Sequence, residues 1–131
     1  MSKKIAAVLG AAMISIGLAV PSSAATVVNG KACPKVGAST TFKVNGVSKT
    51  YLCRVNPSVV GATNATWTLK TCITYWAAAA ASQKSIDDQL ALVKVMSEPD
   101  KTTYTNQLAD SQKKLDTVKA AIIANHCKVG L

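Results

Sequence analysis

Four cysteines, Cys33, Cys53, Cys72 and Cys127, limit most what this chain can fold into. They follow a segment, residues 1–25, that carries the three parts of a secretory signal peptide. Lys3 and Lys4 are the positive start, Ile5 to Val20 is an uncharged apolar stretch, and Pro21-Ser22-Ser23-Ala24-Ala25 supplies small residues for cleavage near Ala24 or Ala25. The apolar stretch falls short of the roughly 20 residues a spanning helix needs, so no transmembrane span is expected after cleavage. Outside the cytoplasm thiols are driven to disulfides, and an even count reads as two staples. The chain is therefore expected to be secreted, extracellular or held in the cell envelope. About 106 residues remain, enough for one small domain with a modest core.

Charge is distributed unevenly. The full chain has 15 Lys and Arg against 6 Asp and Glu, a formal net charge of +9; without Lys3 and Lys4 it is +7. No acidic residue occurs between Thr26 and Lys70, where Lys31, Lys35, Lys43, Lys49, Arg54 and Lys70 all lie. From Thr71 onward seven lysines face six acids. The excess therefore belongs to the first segment, and a one-sign field of that kind attracts anionic polymers or surfaces.

Residues 26–70 read as a basic β-hairpin module. Asn45-Gly46 tolerates the positive φ angles of a type I′ turn. That turn pairs Val44 with Val47, Phe42 with Lys49, Thr40 with Tyr51 and Ala38 with Cys53. One face then collects Val36, Phe42, Val44, Val47, Tyr51, Cys53 and Val55, interrupted by Lys49. The opposite face carries Ser39, Thr41, Lys43, Ser48, Thr50 and Arg54. A third strand is expected at Ala65 to Leu69, after a loop marked by Pro57 and Gly61. Cys33 precedes the first strand and Cys53 lies late in the second, so the two can meet across the hairpin.

Gly30-x-x-Cys33-x-x-x-Gly37, Val44-Asn45-Gly46, Tyr51-x-Cys53 and Trp67 together resemble a small two-cysteine hairpin module. That module recurs in secreted and envelope proteins of actinobacteria. The resemblance covers about residues 30–69 and implies an envelope context. The tryptophan here stands further from the second cysteine than in the usual pattern.

Residues 71–131 read as a long helical hairpin. Leu69, Cys72, Trp76, Ala79, Gln83, Ile86, Leu90, Val93 and Ser97 recur in steps of three and four, as do Tyr104, Leu108, Ser111, Leu115, Val118, Ile122 and Asn125. Both rows fit the seam of an antiparallel two-helix coiled coil. Between them, Ser97 with Asp100 suggests a capping box, and Pro99 suits a first helical turn. Folding back there sets Val93 near Leu108, Ile86 near Leu115 and Trp76 near Asn125. It also brings Cys72 to Cys127. Of the three connectivities open to four cysteines, 33–53 with 72–127 is the one both segments favour. Lys84 with Asp87 and Asp88, Asp110 with Lys113 and Lys114, and Asp116 with Lys119 are spaced as helix-surface pairs.

The fold class expected is α+β, a disulfide-closed antiparallel β-meander followed by the helical hairpin. No catalytic constellation, metal-ligand set or cofactor motif stands out, and the lone His126 reads as a helix-end residue. The leading functional reading is a secreted, non-catalytic protein that holds an anionic envelope polymer through Lys35, Lys43 and Arg54. Nucleic acid is the less favoured anion. Two other readings stay open. One is an interaction element whose helices dock another envelope protein or a second copy of the chain. The other is a small inhibitor presenting the loop Asn56–Asn64.

Overall fold

The computed structural model describes residues 27–131; the signal-peptide reading of residues 1–25 lies outside them. Three strands, β1 (Ser39–Val44), β2 (Val47–Val55) and β3 (Ala65–Leu69), precede two helices, α1 (Lys70–Val93) and α2 (Asp100–Ile122). A π-helical turn at Ile123–Cys127 extends α2. The architecture is α+β. Among the described residues no helix is long and apolar enough to cross a membrane.

The strands form one antiparallel sheet in the order β1-β2-β3. Asn45 and Gly46 take φ of 51° and 79°, the positive values a type I′ turn demands. The turn fixes the register Val44↔Val47, Phe42↔Lys49 and Thr40↔Tyr51, and the Cys53 N–H donates to the Ala38 carbonyl at 2.8 Å. β3 sets Trp67 opposite Cys53 and Leu69 opposite Tyr51. Side-chain alternation then places these four on one face, where all are buried.

The rest of that face is not core. Phe42 is half-buried, while Val44, Val47, Val55 and Val36 are exposed by 37, 62, 38 and 71 %. The cause is the reach of the covering helix. α1 begins directly after Leu69 and packs on β2 and β3, leaving β1 and the hairpin tip uncovered. Alternation shows which side faces inward, not how far the cover extends.

No glycine or proline interrupts the chain between Gly61 and Pro99, so α1 runs 24 residues, about 36 Å. Its buried row is Cys72, Ala79, Ile86 and Val93, and that of α2 is Leu108, Leu115 and Ile122, each spaced by seven. A coiled-coil seam would bury two positions per heptad. Here the alternate positions on α1, Trp76 and Gln83, are half-buried and Leu90 is exposed. On α2 the second row is Gln112 and Lys119 rather than the expected Ser111, Val118 and Asn125, which are exposed. The hydrogen bonds show why. Gln83 and Gln112 exchange amides across the helices at 2.7 and 3.0 Å, and Lys119 Nζ donates to Gln83 Oε1 at 2.7 Å. Polar residues with long stems close this side of the seam, and Val118 is left 51 % exposed on the other.

Two other local expectations are corrected. Ser97 makes no cap; the Glu98 carboxylate instead accepts the Thr102 N–H at 3.2 Å and its hydroxyl at 2.7 Å. Of the helix-surface pairs, Lys84–Asp88 forms at 2.6 Å. Asp116 instead accepts from Gln112 at 2.9 Å, because Lys119 has turned to Gln83.

Both disulfides join the cysteines as expected, Cys33–Cys53 with Cα atoms 5.7 Å apart and Cys72–Cys127 at 4.9 Å. The π turn delivers the second. In an uninterrupted α-helix residue 126 would follow Ile122 on the inner face; the wider turn advances five residues and brings Cys127 there. The two segments do not make separate cores. Tyr51, Cys53, Trp67 and Leu69 of the sheet form one cluster with Cys72, Ala79, Ile86, Leu115, Ile122 and Cys127.

A buried asparagine ties the ends of this core. Asn29 is fully buried. Its Nδ2 donates to the carbonyls of Cys127 at 2.7 Å and Lys128 at 2.9 Å, and its Oδ1 accepts the Leu69 N–H at 3.0 Å. Asn56, also buried, donates to the Cys127 carbonyl at 3.3 Å. The last carbonyls of a helix lack partners within it, and two amide side chains supply them here. The backbone of Asn29 pairs with Gly130 and Leu131, and the Tyr51 hydroxyl donates to the Leu131 carbonyl at 3.1 Å.

Candidate functional site

The cations singled out in the sequence, Lys35, Lys43 and Arg54, are all exposed. Arg54 stands near the end of β2 opposite Thr66, and shares a depression of about 240 Å³ with Val36 and Gly37. Lys35, in the turn before β1, adjoins that same end of the sheet. Lys43 pairs with Ser48, six residues before Arg54 on β2. The even spacing keeps Lys43 and Arg54 on one face, but about 20 Å apart along the strand. The structure therefore brings Lys35 and Arg54 to one end and leaves Lys43 at the other. Among the described residues, Lys35, Lys43, Lys49, Arg54 and Lys70 form no ion pair. Spaced cations of one sign do not converge on a single small anion; they match a ligand with repeated charge.

A second feature, not singled out in the sequence, lies on the helical side. Tyr75 and His126 stack with ring centroids 4.7 Å apart at a 55° tilt. Two grooves meet at this pair. One, of about 460 Å³, runs along the helices over Ala78, Ala79, Leu115, Val118 and Ile122. The other, of about 520 Å³, lies between β2 and the start of α1, beside Lys49, Lys70, Thr71 and Thr74. The antiparallel arithmetic that sets Trp76 level with Asn125 also sets Tyr75 level with His126, so the pair was within reach of the sequence. The grooves were not, since they depend on where α1 lies against β2.

The buried clasp of Asn29 and Asn56 was missed as well. Asn29-Gly30 is the same dipeptide as Asn45-Gly46, and it makes a turn in which Lys31 N–H donates to the Val28 carbonyl at 3.2 Å with Gly30 at φ 89°. It lies between no periodic segments, so hairpin reasoning passes over it. Family models, curated proteins and solved structures give no match to this chain.

Proposed function

We propose that this is a secreted, non-catalytic protein of the cell envelope or extracellular space that holds an anionic polymer through its acid-free sheet. The observation that carries the reading is the exposed, unpaired state of Lys35, Lys43 and Arg54 on a segment without a single acidic residue. The span of about 20 Å along β2 between Lys43 and Arg54 favours an extended polyanion with repeated phosphate or carboxylate groups. Two disulfides support an oxidising compartment, and the likeness of residues 30–69 to an envelope hairpin module adds to that.

Retention on an immobilised polyanion such as polyphosphate tests it. Each cation that neutralises a charge releases a counterion, so the logarithm of the affinity falls with that of salt concentration by roughly 0.7 per contact on a flexible strand. Three contacts give a slope near −2. Lys43→Glu with Arg54→Glu should flatten that slope and abolish retention at about 0.15 M salt. Unchanged retention of the folded double variant would end the proposal.

A further inference from the structure

We propose that the two grooves meeting at Tyr75 and His126 form a binding site for an anionic amphiphile, a single acyl chain with a carboxylate or phosphate head. The proposal stands apart from the polymer reading and uses the opposite side of the sheet.

The grooves are chemically unlike and contiguous. The one along the helices is walled by alanine, leucine, valine and isoleucine side chains and offers polar groups only at its margins. The small residues Ala78, Ala79 and Ala121 lower its floor, and from Tyr75 to Ser82 it spans about 10 Å of helix. The one between β2 and α1 is flanked by Lys49 and Lys70 and by Thr71 and Thr74 of the first turns of α1. No acidic residue lines either. The first residues of α1 border the charged groove; Leu69 in the cap position offers no side-chain acceptor, and the first turn holds no acid. The partial positive charge of the helix start therefore adds to that of the two lysines.

This polarity selects the ligand. A neutral apolar molecule would leave Lys49 and Lys70 without a partner. A small inorganic anion would leave the apolar groove exposed to water, where Val118 remains 51 % and Tyr75 45 % accessible. A molecule with an apolar chain and an anionic head satisfies both, its chain crossing the Tyr75–His126 rings. A second copy of this chain is less suited, since the charged groove needs an acid and the nearby helix surfaces carry lysines beside their acids.

Decanoate, below the concentration at which it forms micelles, is the probe, titrated into the oxidised protein and followed by NMR shifts of backbone amides and by calorimetry. The site requires saturable binding with shifts centred on Tyr75, Ala78 and His126. Decanol, lacking the charge, and acetate, lacking the chain, should each bind at least tenfold more weakly. An exposed ion pair is worth roughly a factor of three, so Lys49→Gln with Lys70→Gln should weaken decanoate about tenfold. Ala78→Trp, at an exposed position that leaves the core intact, should fill the apolar groove and remove binding, while Ala81→Trp, outside both grooves, should not. Retention on polyphosphate should be unaffected by Ala78→Trp. Equal binding of decanol and decanoate, undiminished binding by Ala78→Trp, or a dimer in sedimentation whose interface occupies the grooves would each overturn the proposal.

Discussion

Asn29→Ala isolates the buried clasp that joins the sheet to the end of α2. Truncation removes three side-chain hydrogen bonds. The Cys127 carbonyl keeps its bond from Asn56, so two groups are orphaned, the Leu69 N–H and the Lys128 carbonyl. The Leu69 N–H is buried, while the Lys128 carbonyl lies at the margin of the clasp, where Lys128 is exposed and water can replace the lost bond. Leaving one buried polar group unpaired costs about 1–3 kcal/mol. For a domain of this size that is a fall in Tm of about 5–15 °C. Thermal and urea melts of the oxidised protein at pH 7 measure it. Asn29→Asp sharpens the test. The carboxylate still accepts from Leu69, but its second oxygen faces two carbonyls in a buried site. Both effects raise the folded-state pKa above that of the unfolded chain. Stability of this variant relative to the wild type is then retained below about pH 4 and lost as pH rises through the raised value. A Tm for Asn29→Ala within 3 °C of the wild type, or an Asn29→Asp penalty that does not grow from pH 4 to pH 7, would refute the clasp.

The disulfides span 20 and 55 residues of sequence; in the chain-entropy model, replacing each pair by alanines should cost about 3 and about 4 kcal/mol, read as the shift in urea midpoint. Gly30→Ala places a Cβ 2.9 Å from Val129 at a φ of 89°. It should cost about 2 kcal/mol, and Val129→Ala should recover the steric part but not the backbone part, which double-variant melts would separate. Burial pushes the Tyr51 hydroxyl above its ordinary pKa of 10.0. The unfolded chain therefore loses its proton first, so the contribution of Tyr51 is complete below pH 10 and is lost as pH rises through the folded value. Tyr51→Phe should cost about 1 kcal/mol at pH 7 through its lost bond to Leu131 and reduce the alkaline fall in stability.

Local chemistry carried a good deal of this fold. The positive φ demanded at Asn45-Gly46 set the hairpin register, and that register put Ala38 against Cys53 and so named the Cys33–Cys53 bond. The seven-residue spacing of Cys72, Ala79, Ile86 and Val93, with Pro99 as the bend, was enough to pair Cys72 with Cys127. Charge asymmetry was equally open to reading, since acids absent from residues 26–70 cannot be supplied by folding. Other features were decided by contacts between distant segments. Which second row of α2 faces α1 turned on Gln83 meeting Gln112, an interaction 29 residues long that no periodicity ranks above Val118. The π turn that presents Cys127, the clasp of Asn29 on Cys127 and Lys128, and the grooves at Tyr75 and His126 all depend on where α1 lies across β2 and β3. A sequence states its turns and periods because they are set by backbone sterics within a few residues. It is silent on how far a helix covers a sheet and which carbonyls that leaves unpaired, because those follow from packing the whole chain at once.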